Sequence, residues 1–175
     1  MGKFVGLLRG INVGEHRKVP MARLREILEA AGLRGVRTYV ASGNLVFEAD
    51  AAASAVERLI EEAICGEFGF EVDVLIRSAA EWQALRAANP FPRESADDPA
   101  KVMVTLGRAA PSQADAAALS ARAGANEKVA VSGGALWIWF GDGAGRSKIG
   151  AGPAKGVWTS RNWRTVEALA EMAGG

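Results

Sequence analysis

Residues 36–48 read VRTYVASGNLVFE, and this stretch gives the strongest indication of the fold. Its two ends, residues 36–40 and 45–48, are rich in β-branched and aromatic side chains, as strands are. Between them, Ser42-Gly43-Asn44 predicts a tight connection, because glycine and asparagine tolerate a positive φ. The stretch therefore predicts two strands joined by a short turn.

The segments on either side of this hairpin complete an order of elements that is known from other folds. Four elements follow from the spacing of apolar side chains. They are a strand at residues 3–8, a helix at 20–31, a helix capped by Asp50 or by Ser54, which fits a capping box with Glu57, and a strand at 71–77. The resulting order, β-α-β-β-α-β, predicts a ferredoxin-like first half over residues 1–77.

Residues 78–175 predict a second half that is related to the first but ordered differently. It begins with a predicted helix opened by a capping box of Ser78 and Glu81, an exposed loop and linker at 90–100 and a strand at 101–106. A helix opened by Ser112 and Asp115 then ends at Gly124, and strands at 128–131 and 135–140 are joined by Ser132-Gly133-Gly134. The last predicted elements are a glycine-rich loop at 141–156 with at most a short helical turn, and a helix capped by Thr159 or Ser160. The predicted fold class is thus α+β, with a ferredoxin-like βαββαβ N-terminal half and an α-β-α-β-β-α C-terminal half packed as one compact unit.

Composition limits the function classes. The 175 residues carry a net charge of +1, which provides no global field to attract nucleic acid. The single cysteine, Cys65, excludes an intramolecular disulfide and favours the cytoplasm. No apolar run approaches the roughly 20 residues of a membrane span, so we expect no membrane partner. His16 is the one histidine, so we expect no zinc site, and any Ser-His-Asp triad would have to use this residue. We also expect no cofactor, and the sequence leaves the oligomeric state open.

Hydrogen-bond donors and positive charge are concentrated in four segments with almost no carboxylate. These are residues 9–14, 41–44, 145–148 and 158–163. Arginine can grip an oxyanion with two parallel N–H bonds, and serine and asparagine can orient it. The candidate ligand-binding residues are Arg9, Asn12, Ser42, Asn44, Arg146, Ser147, Lys148, Arg161 and Asn162. Their spacing matches neither a P-loop nor a dinucleotide fingerprint.

Two of these groups have predicted places in the fold. In a ferredoxin-like sheet the first and third strands are central neighbours, so Arg9 and Asn44 should lie at the same end. Arg161 and Asn162 fall in the first turn of the predicted last helix, where the helix N-terminus would help to hold an anion. The alternative for Asn44 is a hairpin asparagine bonded to its own turn.

Three functions are compatible with these residues. The preferred hypothesis is a module that binds a phosphate-bearing small molecule or nucleotide. The first alternative is a single-stranded nucleic-acid binding protein that stacks bases on Trp137 and Trp139, which share one sheet face; it requires both rings to be exposed, whereas such a pair commonly belongs to the core. The second is an enzyme that acts on a phosphorylated metabolite by electrostatic stabilisation. Cys65 near a helix end predicts inert packing rather than catalysis.

Six motifs occur in a fixed order along nearly the whole chain. They are LLRGINVG (7–14), KVPM (18–21), RTYVASGN (37–44), NPF (89–91), GRSK (145–148) and TSRNWRTV (159–166). Together they strongly resemble the family called domain of unknown function 1697. The resemblance implies an α+β fold with ferredoxin-like elements in small bacterial cytosolic proteins, and it implies no established activity. The chain departs from the family pattern at Glu15-His16-Arg17, where glycine and asparagine are frequent, and at Ser160, where threonine is common.

Overall fold

The computed structural model describes residues 1–150 and 152–174, and in it the chain divides into two compact units. The first unit holds Met1–Gln83 and the described residues from Ala168 onward, and the second holds Ala84–Glu167. Each unit contains a four-stranded antiparallel sheet with helices, so the predicted α+β class is confirmed. The division into domains at residues 77 and 78 stays a prediction.

The first unit has the ferredoxin-like arrangement that the sequence predicts. Its elements are β1 (Gly2–Leu8), α1 (Met21–Ala30), β2 (Arg34–Thr38), β3 (Asn44–Ala49), α2 (Ala53–Phe68) and β4 (Val74–Ser78). The strands lie in the order β2-β3-β1-β4, and every neighbouring pair is antiparallel. The central pair is therefore β1 and β3.

The core of the first unit lies between one face of this sheet and the two helices. Buried leucines of α1 and the buried Val56, Ile60 and Ile64 of α2 pack in one cluster with Phe4 and Phe47 of the sheet. The predicted Ser54–Glu57 capping box is wrong, because α2 begins at Ala53 and Ser54 already lies inside its first turn. The helix face, not a cap, stabilises α2. Cys65 is exposed on α2 rather than packed.

The second unit contains the remaining strands and two complete α-helices. Its elements are α4 (Pro92–Asp97), β5 (Val102–Gly107), α5 (Gln113–Ser120), β6 (Glu127–Ser132), β7 (Ala135–Phe140) and β8 (Trp158–Asn162), and two helices extend across the boundary between the units, α3 (Ala79–Ala87) and α6 (Trp163–Gly174). The strand order is β6-β7-β5-β8, again antiparallel throughout.

The two sheets share one strand order, in which the second, third, first and fourth strands of the unit follow each other. Where the first unit has α2, the described residues of the second, 141–150 and 152–157, form a loop with a short 3₁₀ turn at Ala144–Arg146. Ile149 of this loop is fully buried and packs with Leu119 of α5 and Ile138 of β7. Ile149 thus fills part of the space that a helix fills in the first unit, and the other described residues of the loop are exposed or half-buried.

Some predicted boundaries are confirmed and others are wrong. The capping boxes of Ser78 with Glu81 and of Ser112 with Asp115 are both present, and the hairpin at residues 132–135 joins β6 to β7. The loop predicted at 90–100 contains α4, which accommodates Pro92 in its first turn, and α5 ends at Ser120 rather than Gly124.

The largest correction concerns the last helix. Residues 158–162 form β8, which pairs with β5, and α6 begins only at Trp163. Neither Thr159 nor Ser160 caps that helix; the Oδ1 atom of Asn162 accepts the backbone N–H of Thr165 at 3.0 Å instead. Across the described residues, every helix is too short or too polar to cross a membrane.

Candidate anion-binding site

In the first unit, the loops that follow β1 and precede β3 come together as predicted. Leu7 pairs with Asn44 across the two central strands, and the N–H of Leu8 donates to the carbonyl of Gly43 at 2.8 Å. Gly43 has a φ of 89°, and a Cβ atom there would stand 2.6 Å from that of Leu8. The close approach of the two loops therefore requires glycine at this position.

The asparagines of these loops bind backbone atoms. The Nδ2 atom of Asn12 donates to the carbonyls of Ala41 at 2.7 Å and Val19 at 3.0 Å, and its Oδ1 atom accepts the N–H of Val19 at 2.8 Å. Asn44 is fully buried and donates to the Tyr39 carbonyl and the Ser42 hydroxyl oxygen. Both amides hold the loops together, as in the hairpin alternative for Asn44, and neither is placed to orient a ligand.

The arginines of the same loops are engaged as well. Arg9 forms an ion pair with Asp73 at 3.5 Å. Arg17 donates to the carbonyls of Gly10 and Glu71, each at 2.8 Å, and its guanidinium lies over the Phe70 ring. Because Asp73 neutralises part of the charge of Arg9, this end of the sheet presents less net positive charge than the sequence indicates.

The predicted site at the start of the last helix is not formed. Arg161 lies on β8 opposite Val104, is only 9% exposed, and donates to Thr159 Oγ1 at 2.7 Å and to the Ser160 carbonyl at 2.8 Å. Burial lowers the pKa of Arg161 to about 10, which leaves it charged at neutral pH. With Asn162 capping α6, both residues have structural roles inside the second unit.

Trp137 and Trp139 do not form a stacking platform for bases. They share one face of the sheet, as predicted, but Trp137 is fully buried against Trp163, with 5.8 Å between the ring centroids, and donates Nε1–H to the Ser132 carbonyl. Trp139 is half-buried, and the Lys128 ammonium lies over its ring. The core interpretation is confirmed for Trp137.

An open cleft of about 1060 Å³ lies in the second unit beside the loop that replaces a helix. We call it the basic cleft. It is lined by Lys101, residues 121–127 after α5, residues 141–143 after β7, and Arg146, Ser147 and Lys148. Three of the nine predicted ligand-binding residues therefore line one cleft, and they are contiguous in the sequence.

Positive charge predominates in the basic cleft. Lys101, Arg122, Arg146 and Lys148 line it together with only two carboxylates, Glu127 and Asp142. Lys101 is 3.8 Å from Asp98, whereas across residues 1–150 and 152–174 the other three cations form no ion pair. Their charges remain available to an anion.

The edge of the basic cleft formed by residues 146–148 is attached to the core of the second unit. The Ser147 hydroxyl oxygen accepts the N–H of Ile149 at 3.1 Å, and Ile149 is fully buried. This turn holds Arg146 and Lys148 on a loop that is exposed on one side and tied to the core on the other. The Ser147 hydroxyl can still donate its hydrogen to a ligand.

Sequence reasoning missed Lys101 and Arg122. Arg122 follows the end of α5, and its guanidinium comes within 3.9 Å of the Cβ position at Gly150. No local motif surrounds either residue. Only the order of strands in the second sheet places the segment after α5 beside the loop after β7.

Fold and cleft define a class of protein with two units of the same ferredoxin-like strand order, the second lacking one helix and carrying a basic cleft. The chain matches the family described as "Protein of unknown function (DUF1697)" over residues 1–137, and it belongs to that family. Its structure is similar to that of a conserved bacterial protein from Streptococcus pneumoniae, with a TM-score of 0.78, 22% sequence identity and 98% of each chain covered. No curated protein matches the sequence.

Proposed function

We propose that this protein binds a phosphate-bearing small molecule, and that the basic cleft of the second unit is the binding site. One observation carries the proposal: Arg122, Arg146 and Lys148, three cations that form no ion pair within residues 1–150 and 152–174, line one open cleft together with a serine hydroxyl. Organic ligands commonly occupy clefts of about 300–1,000 Å³, with a few polar groups that fix their orientation.

The chemistry of these side chains suits a phosphate. A guanidinium can donate two parallel N–H bonds to phosphate oxygens, and an ammonium adds a compact positive charge. The lining holds four cations and two carboxylates, and Lys101 is paired with Asp98 outside it, so positive charge remains in excess. A phosphate monoester, with a charge near −2, would offset that excess.

The test is a thermal-shift series with phosphate compounds on the intact protein. A ligand at 100 times its Kd stabilises the folded state by about 2.7 kcal/mol, and we expect that stabilisation to disappear when Arg146→Ala and Lys148→Ala are combined. The matched control combines Arg164→Ala and Lys155→Ala, two exposed cations outside the cleft, and should keep it. Equal stabilisation of both double variants, or of neither, would overturn the proposal.

The same protein also distinguishes this proposal from the two alternative functions, nucleic-acid binding and catalysis. Nucleic-acid binding through stacked tryptophans is not carried forward, because the Trp137 ring is buried. An enzyme would use the same cations, and conversion of a bound phosphate ester would distinguish it from a binding module.

We further propose a bacterial, cytoplasmic protein, supported by the bacterial structural relative and by the single exposed thiol of Cys65.

A further inference from the structure

We infer that the ligand of the basic cleft is a sugar phosphate, in which the phosphate faces the cations and the sugar hydroxyls face Asn126 and Asp142. This inference rests on the proposed function and names its ligand class. The cleft, at about 1060 Å³, is far larger than an inorganic phosphate ion. The cleft therefore has room for an organic part beside a phosphate, and the lining residues determine which kind would fit.

The lining offers hydrogen-bond acceptors as well as cations. The Asn126 amide donates to both carboxylate oxygens of Asp142, at 3.2 and 3.3 Å, and this contact orients the carboxylate. Asn126 Oδ1 and the remaining lone pairs of Asp142 can still accept hydrogen bonds. Glu127 is occupied differently, since it accepts the N–H of Gly124 at 2.8 Å.

The ligand group beside Asp142 must be a donor. A phosphate oxygen there would be repelled by the carboxylate, whereas a hydroxyl group donates to it and gains a charge-assisted hydrogen bond. The lining thus offers both cations for a phosphate and acceptors for hydroxyl groups, as a polyhydroxylated phosphate ester requires. An ammonium group would satisfy the same acceptors and has to be distinguished by experiment.

The lining also argues against a nucleotide base. Its uncharged residues are glycines, Ser147, Asn126 and the three alanines at 121, 123 and 125, so no aromatic ring is present among them. Bases are commonly held by stacking on aromatic side chains. A small, polar lining without rings matches a sugar better than a base.

The experiment is isothermal titration of the intact protein with five probes: glucose 6-phosphate, ribose 5-phosphate, inorganic phosphate, adenosine monophosphate and phosphoethanolamine. At least one sugar phosphate should bind about tenfold tighter than each of the other three, the gain expected from hydrogen bonds to a charged group. Asp142→Ala should remove about this tenfold advantage and leave the affinity for inorganic phosphate unchanged or higher. Asp97→Ala, an exposed carboxylate outside the cleft, is the matched control.

The outcomes separate the two proposals. If phosphate compounds bind but neither sugar phosphate is favoured, or if Asp142→Ala weakens inorganic phosphate equally, the sugar assignment is wrong and the phosphate site stands. Tighter binding of adenosine monophosphate would assign the organic part of the ligand to a base instead of a sugar, and tighter binding of phosphoethanolamine would assign it to an amine. If none of the five probes binds, the proposed function itself fails.

Discussion

Val40 combines two unfavourable properties at one residue. Its φ is 51°, in the left-handed region that a β-branched side chain rarely adopts, and its side chain is 55% exposed. Burial therefore does not offset the strain. Asn12 and Arg17 also have positive φ, and both lie in the loop that Asn12 ties to Ala41, next to Val40. The strain is held by the paired loops of the first unit.

Replacement of Val40 should stabilise the protein. The left-handed conformation disfavours a β-branched side chain by roughly 1–2 kcal/mol, and asparagine tolerates it, so Val40→Asn should raise the free energy of unfolding by about 1 kcal/mol. Chemical denaturation measures the change. Val13→Asn is the control, because Val13 is 67% exposed and is not among the positive-φ residues; its effect should stay within about 0.5 kcal/mol. A loss of stability in Val40→Asn would contradict this account.

At the scale of elements, the junction of β8 and α6 depends on one asparagine. The chain passes from strand to helix without a loop, so the first N–H groups of α6 need a partner at once. Asn162 is the last residue of β8 and supplies its Oδ1 atom to Thr165. Ser160 is engaged across the sheet with Thr105, at 2.6 Å between the hydroxyl oxygens.

Removal of this cap should lower stability without affecting the cleft. We expect Asn162→Ala to reduce the free energy of unfolding by about 1 kcal/mol, whereas Asn162→Asp keeps the acceptor and should change it by less. Urea denaturation of the two variants gives both values. A loss of ligand affinity in Asn162→Asp, with stability retained, would instead support the direct role that the sequence indicated for this residue.

For the whole molecule, the repetition of one strand order makes the missing helix informative. In the first unit α1 and α2 cover one face of the sheet, while in the second the loop formed by residues 141–150 and 152–157 takes the place of α2. The basic cleft lies beside this loop. The proposed site therefore occurs where the second unit departs from the first.

Hydrogen exchange should show which unit receives the ligand. When the protein is saturated with a sugar phosphate, the amides of residues 121–127 and 141–148 should exchange more slowly, because binding lowers the population of the locally open states from which amides exchange. Residues 9–14 and 41–44, whose loops are already tied by Asn12, should keep their rates. Mass spectrometry of deuterated peptides measures both. If only the loops of the first unit were protected, the ligand-binding site would instead lie at Arg9 and Ser42.

The sequence alone determined those features that depend on near neighbours. Apolar periodicity and turn residues gave β1 to β4 and both helices of the first unit, and the resulting order was enough to place residues 9 and 44 at one end of the sheet. The Ser112 capping box and the 132–135 hairpin were predictable for the same reason: their contacts span only three residues.

Tertiary structure alone decided β8, the burial of Arg161 and the composition of the basic cleft. Residues 158–162 become a strand because β5, more than fifty residues earlier, offers an edge to pair with, and no local pattern records that edge. The same pairing buries Arg161 and removes it from the site. Arg122 and Lys148 meet in one lining through the sheet order, since hydrogen bonds between distant strands, not side-chain spacing along the chain, fix which loops become neighbours.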